Sequence, residues 1–300
     1  MNNTPTVNNK EHDPNVNAYT AAGTSPPPSA QVGKTLQAFF APDEPVELRY
    51  LTKSGAGSGV YTNHQKFIND ACIISNNPQT KAVWFNLNEI PAGIASNTHR
   101  IGASAIRNGD IVRRKLILVD VEAKKPEEFK HESATDEEKR DAEVEAQNVW
   151  KLLTKFGIPF VMADSGNGFH LLVRVNLPCD GEADDLVRNF LESVQWHVPT
   201  AKIDTSVHDR GRVTKLYGTM TRKGRELPER PWRRSALLEG GDRQPVSVDR
   251  IKRVIDAAPR SMLGLTPVEN DVAACEVVRD FDMRDFLTHY GFDTRQRGNI

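Results

Sequence analysis

Apolar and polar positions alternate most sharply over Lys115–Glu122, KLILVDVE. Successive strand residues face opposite ways, so Ile117, Val119 and Val121 form one face and Leu118, Asp120 and Glu122 the other. The pattern predicts a buried strand that ends in two side-by-side carboxylates. Asp136–Phe156 has helical periodicity and an acidic first turn. Two strands follow, Pro159–Ala163 and Phe169–Val175, joined across Ser165-Gly166-Asn167-Gly168, where Asn-Gly is a short hairpin signal. Asp184–Trp196 reads as a second helix, and Lys202–Asp204 and Val213–Tyr217 as short strands. This order predicts an α/β (α+β) fold, with a ferredoxin-like or RRM-like antiparallel sheet carrying its helices on one face.

Upstream, Leu48–Leu51 and Ala82–Asn86 read as strands and His64–Ser75 as a helix, forming a smaller N-terminal α/β unit. The glycine-rich run Ser54–Gly59 lacks the Gly-Lys-Ser/Thr ending of a phosphate-binding P-loop and reads as a flexible turn. Residues 1–33, rich in Asn, Thr, Pro and Ser, have too little apolar surface to offset their ordering entropy and are expected to form a flexible tail. Order is expected to begin near Thr35. The main domain then spans 34–259, divided into 34–114 and 115–259, with a helix at Val248–Ala257. Residues 260–273 read as a linker and Phe281–Tyr290 as a helix that starts a following module. The chain stops at Ile300 without an evident ending, as expected for a piece of a longer protein.

With 38% hydrophobic residues, twelve Phe and four Trp, the composition is that of a globular domain. The formal net charge of −1 means that nucleic-acid binding has to come from a local patch. Cys72, Cys179 and Cys275 lie far apart and have no zinc spacing, which fits reduced thiols in the cytoplasm. Met1–Lys34 has no apolar signal segment, and no apolar run approaches membrane-span length.

The candidate chemistry gathers on four elements. Asp120 and Glu122 repel each other, and a bound divalent cation removes that conflict; a solvated strand end is the other reading. Mg²⁺ takes one or two carboxylates together with phosphates and water. His170, just after the tight turn, can bond a phosphate oxygen with help from donors such as Ser165, although its position also suits a structural histidine. Ile203 turns to the core, which leaves Asp204 free to join the two acids. Three carboxylates on one face suit a two-metal site that activates a 3′-hydroxyl and steadies the reacting phosphoryl group. Arg210, Arg212, Lys215, Arg222, Lys223 and Arg225 form the local basic patch, able to hold a triphosphate or a template backbone or simply to be solvated. Strand alternation does not place Arg212 and Lys215 on one face without a bulge.

Together these elements resemble the archaeo-eukaryotic primase superfamily, in its bacterial plasmid and phage primase-polymerase branch. Val119-Asp120-Val121-Glu122 resembles the D-x-D/E motif, Ser165-Gly166-Asn167-Gly168-Phe169-His170 the hairpin ending in histidine, and Ile203-Asp204 the third motif. Arg212–Thr219 with Lys223-Gly224 is similar to the nucleotide-binding stretch. Trp84-Phe85-Asn86-Leu87-Asn88 and Asp110–Arg114 look like the approach to the catalytic strand. The likeness spans residues 35–257. It departs at Val207-His208-Asp209 and in having no paired Cys/His for a zinc stem.

The resemblance implies that Asp120, Glu122 and Asp204 bind Mg²⁺ or Mn²⁺ and are catalytic. Ser165, Gly168, His170, Arg212 and Lys215 would bind the nucleotide, and Arg113 and Arg114 would help to hold triphosphate or template. The active site would lie between the two units. Single-stranded DNA would be the template and NTPs or dNTPs the substrates. A helicase module could lie beyond residue 300, and a plasmid or phage would encode the protein in a bacterial cytoplasm. Two other classes fit parts of the pattern. An RRM-like binding module would expose aromatic residues on its sheet, where this one carries acids. A two-metal nuclease would share the acids but would not need His170, Arg212 and Lys215.

Overall fold

The computed structural model describes residues 27–239 and 244–259. The expected α+β class, with antiparallel sheets, is what it contains. Helix α1 (Pro28–Phe39) precedes strands β1 (Val46–Thr52) and β2 (Gly55–Tyr61), helix α2 (His64–Asn76) and strand β3 (Thr80–Asn86). Strands β4 (Arg100–Ile101) and β5 (Arg114–Glu122) lead to helix α3 (Asp136–Lys155), the pair β6 (Val161–Asp164) and β7 (Gly168–Leu177), and helix α4 (Gly181–His197). Short strands β8 (Val213–Lys215), β9 (Met220–Thr221), β10 (Arg233–Arg234) and β11 (Ala236–Glu239) precede helix α5 (Val248–Asp256).

The four-stranded sheet has the order β11-β6-β7-β5, and all of its pairs are antiparallel. Ile203 forms an isolated bridge to Val121 on the free edge of β5. Counting β5, β6, β7 and this bridge in chain order as 1 to 4, the arrangement is 2-3-1-4, the ferredoxin-like one. Its fourth strand is cut down to one bridged residue. Helix α3 is capped by Thr135 and Glu138 reciprocally, and its buried stripe Ala142, Ala146, Val149 and Leu153 packs it against β5 and β7.

The N-terminal sheet has the order β4-β2-β1-β3-β8. Val213–Tyr217 therefore does not continue the sheet of β5. Its strand β8 crosses to pair with β3, Trp84 opposite Lys215 and Phe85 opposite Thr214. One continuous hydrophobic core packs against both sheets, from Val32 and Leu36 through Phe85 and Tyr217 to Val119 and Val173.

Two further expectations are corrected. Most of the glycine run Ser54–Gly59 is strand and not a turn; only Lys53 and Ser54 make the turn. Its glycines answer to close packing: a Cβ on Gly57 would lie 2.1 Å from the Tyr50 ring, and one on Gly59 2.0 Å from the Thr98 carbonyl. Order begins before Thr35, because α1 starts at Pro28. Proline suits a first helical turn, and Val32, Leu36 and Phe39 bury one face. The rest of the expected tail (1–26), the linker at 260–273 and the helix at Phe281–Tyr290 lie outside the described residues. Among the described residues, no helix is long and apolar enough to cross a membrane.

Candidate active site

The alternation read along β5 is present, with Val119 and Val121 fully buried and Asp120 and Glu122 partly exposed. Beside Val121–Ile203, the Asp204 N–H donates to the Asp120 carbonyl at 3.0 Å and the Glu122 N–H to the Lys202 carbonyl at 2.9 Å. Residues directly opposite each other share a face. Asp120 and Asp204 thus lie side by side, as do Glu122 and Lys202. His170 lies opposite Asp120 on the other flank, in β7.

His170 is buried. Its Nε2 is 3.5 Å from Asp120 Oδ1, and its Nδ1 is 2.9 Å from the Tyr217 hydroxyl and 3.2 Å from Thr214 Oγ1. The Asp204 carboxylate accepts from the Ser206 N–H at 3.0 Å and from its hydroxyl at 2.6 Å. Glu122 is ion-paired to Lys202 at 2.7 Å.

The hairpin that delivers His170 turns on Gly166, whose φ is +98°. The Asn-Gly pair is not the left-handed element. Asn167 instead accepts from the Ala134 N–H at 2.9 Å, which ties the turn to the start of α3. A Cβ on Gly168 would lie 2.3 Å from the Val121 carbonyl, so glycine there lets β7 close onto β5. The Ser165 hydroxyl accepts from the Gly168 N–H at 3.1 Å.

Between the two sheets lies a cavity of about 490 Å³. Asp120, Asp204, His170 and Ser165 line one side of it. Lys81, Arg212, Lys215, Arg222 and Lys223 also line it, as do Leu51, Ala82 and Trp84. Leu51 pairs with Ala82, and Trp84 is two residues further along β3, so these three share one sheet face. Lys215 is buried, and its ammonium donates to the Met220 carbonyl at 2.6 Å. Burial, reinforced by the charges of Arg222 and Arg234, lowers its pKa to about 7. Arg222 is held by the carbonyls of Ser75 (3.0 Å) and Thr80 (2.8 Å). Arg212 reaches the cavity although it pairs with Asp209. It precedes β8, so strand alternation does not constrain it and no bulge is needed.

Other expected site residues stand elsewhere. The Arg114 side chain is buried and ion-paired with Asp184, which also binds Arg210 at 2.7 Å. Hydrogen bonding from Arg210, with Arg114 beside it, lowers the Asp184 pKa to about 2. Arg113 donates to Asn176 at 2.7 Å. Neither arginine lines the cavity, nor do Glu122 and Gly168. Among the described residues, no group of three or more His, Cys, Asp or Glu is placed to hold a metal ion; of the three expected ligands, Glu122 pairs with Lys202 while Asp120 and Asp204 lie side by side. The two acids that do meet, Asp120 and Asp204, fit the one or two carboxylates that Mg²⁺ takes alongside phosphate and water. Lys81 was not expected from the sequence, and Trp84 and Tyr217 stood there only within longer motif stretches, with no role of their own. The period-2 pattern of β3, with Trp84 opposite the buried face of Val83 and Phe85, is the signal that could have assigned Trp84 to the cavity face.

No family model and no curated protein matches the chain. Among solved structures it is similar to primase RepB′, with 13% identity and a TM-score of 0.43 over 76% of this chain and 62% of that one. It thus spans under two thirds of that primase. It is also similar to the AEP domain of the cyanophage S-2L primase-polymerase, with 11% identity and a TM-score of 0.44 over 75% of this chain and 97% of that one. A third is the polymerase domain of Mycobacterium tuberculosis ligase D in complex with DNA, with 12% identity and a TM-score of 0.37 over 76% of this chain and 86% of that one.

Proposed function

We propose that the chain is a template-directed nucleotidyltransferase of the primase-polymerase kind, joining NTPs or dNTPs on single-stranded DNA. The observation that carries this reading is the cavity itself, where Asp120 and Asp204 share one space with Lys81, Lys215, Arg222 and Lys223. Acids alone would repel a polyphosphate and cations alone would only bind one; phosphoryl transfer uses both. Asp120 and Asp204 would hold Mg²⁺ or Mn²⁺, which when bound supplies charge neutralisation at the reacting phosphoryl group and activation of the 3′-hydroxyl. The lysines and Arg222 would grip phosphate oxygens, and His170 would donate a further hydrogen bond to them. Leu51, Ala82 and Trp84 offer an apolar wall for base and sugar. The motif resemblance supports the same reading.

The test is primer synthesis on circular single-stranded DNA with labelled NTPs or dNTPs and Mg²⁺ or Mn²⁺. Labelled products that vanish with Asp120→Asn are expected. Release of template fragments would make the protein a nuclease. A mobility shift without incorporation would make it a binding module.

A further inference from the structure

The cavity wall behind His170 contains a fully buried phenol that the proposed chemistry does not use. Tyr217 is 0% exposed, and its ring meets the His170 ring edge-on at 5.8 Å and the Phe85 ring at 6.1 Å. Its hydroxyl lies 2.9 Å from His170 Nδ1. Tyr217 comes from the segment that has crossed to the N-terminal sheet, whereas His170 belongs to β7, so this bond links the two sheets.

We propose that Tyr217 is a positioning residue that holds His170 in the tautomer with its proton on Nε2, aimed into the cavity. The argument is one of hydrogen counting. Burial, opposed by a hydrogen bond from Thr214 and aided by the charge of Asp120, raises the Tyr217 pKa well above its ordinary value, so the phenol keeps its hydrogen. A buried hydroxyl hydrogen without an acceptor is costly. His170 Nδ1 is the acceptor at hand, and a neutral imidazole that accepts at one nitrogen carries its proton on the other. That proton points towards Asp120 Oδ1 at 3.5 Å, too far for a strong bond, and so stays free for a ligand. Thr214 Oγ1 lies 3.2 Å from the same Nδ1 and also hydrogen-bonds the phenol, so a proton on Nδ1 would leave one of the two hydroxyl hydrogens of this trio without an acceptor.

The consequence rests on the nucleotidyltransferase reading: an Nε2–H donor can bind a phosphate oxygen, and a bare Nε2 would repel one. The experiment is a long-range proton–nitrogen NMR correlation of ¹⁵N-histidine-labelled full chain. His170→Gln assigns the signal, and steady-state kinetics are measured in parallel. The wild type is expected to show the Nε2–H pattern with a hydrogen-bonded Nδ1, and Thr214→Val should leave it unchanged. Tyr217→Phe keeps the ring packing and should give mixed tautomers, with a nucleotide KM higher by about 2- to 10-fold and a smaller change in kcat. An Nδ1–H pattern in the wild type overturns the proposal, and so does a wild-type spectrum in Tyr217→Phe or an altered one in Thr214→Val. If Tyr217→Phe does not fold, an Nδ1–H pattern in the wild type or an altered spectrum in Thr214→Val still overturns the proposal. Failure to incorporate any nucleotide would instead sink the polymerase reading and leave the tautomer result standing.

Discussion

The Asp204 N–H donates to the Asp120 carbonyl at 3.0 Å, and this one backbone bond puts two acids 84 residues apart in sequence on one wall of the cavity. A lone bridged residue, Ile203, replaces a whole strand and is enough because it is buried against the core. Two adjacent carboxylates repel, so the arrangement costs stability that a bound cation would return. Asp120→Asn combined with Asp204→Asn is therefore expected to abolish incorporation. Without metal, its melting temperature should match or exceed that of the parent, by up to about 2–4 °C for each kcal/mol of repulsion relieved. Calorimetry with and without Mg²⁺ checks this; a lower apo melting temperature in the double variant would show that the acids are structural.

Truncation separates the tail from the helix that follows it. Val32 is fully buried, and Gln31 Oε1 accepts from the Leu237 N–H at 3.2 Å. The same turn lies on Gly218, where a Cβ would sit 2.7 Å from Gln31 Cβ, and so it backs the Tyr217 segment. A chain beginning at Lys34 should be less stable than one beginning at Pro27 by at least about 1.5–3 kcal/mol, the worth of a buried valine. Urea melts of the two chains give the difference. Equal midpoints would show that α1 contributes nothing before Lys34.

The acids and His170 were legible because strand chemistry is local: period 2 over Ile117–Glu122 fixes which side chains share a face, and the Gly-rich turn fixes where His170 emerges. What sequence could not give was partnership at a distance. Arg114, just before the acids, was expected to help hold triphosphate or template, yet Asp184, 70 residues on, takes it. Val213–Tyr217 has the pattern of a strand, but nothing in that pattern tells which of two sheets it joins. Glycine at 57 and 59 reads as freedom until the Tyr50 ring and the Thr98 carbonyl lie against it.

Arg114 offers a direct check on that distinction. Its side chain binds Asp184 and the His208 carbonyl (2.9 Å) and does not reach the cavity. Arg114→Met is expected to lower stability by roughly 1–3 kcal/mol, with Arg210 left to hold Asp184. The nucleotide KM of the folded fraction should stay within about twofold of wild type, since no cavity group is lost. A large rise in KM with unchanged stability would return Arg114 to the binding site.

Lys215 should make nucleotide binding depend on pH. Its pKa of about 7 is depressed by burial and by Arg222 and Arg234. A bound phosphate favours the charged amine and raises that value, so binding takes up protons from about pH 7 upwards. Affinity should be greatest below pH 7 and fall as pH rises, by at most about tenfold per pH unit for one proton. In the empty protein the sign is opposite: the buried charge disfavours the fold below pH 7, and that cost fades between about 7 and the unfolded value near 10.4. Titration calorimetry at pH 8 in buffers of different ionisation heat should reveal the uptake in wild type and its loss in Lys215→Met. Identical heats in all buffers would mean that Lys215 does not face the phosphates.

Trp84 should hold a base. It shares a cavity-facing sheet surface with Leu51 and Ala82, and Lys215 sits directly opposite it on β8. A nucleotide whose phosphates meet Lys215 and Arg222 would therefore lay its base or sugar along the indole. Stacking on an aromatic side chain is worth about 1–3 kcal/mol per base, or roughly 5- to 150-fold in affinity. Trp84→Ala should raise the nucleotide KM by about that factor with similar losses for all four bases, because every base has a π-face. Trp84→Phe, which keeps a ring, should recover most of the loss. Comparing KM for the incoming nucleotide with the midpoint for single-stranded template settles which base is stacked. If template binding weakens while nucleotide KM holds, the indole belongs to the template. If neither changes in Trp84→Ala, the apolar wall is no binding surface.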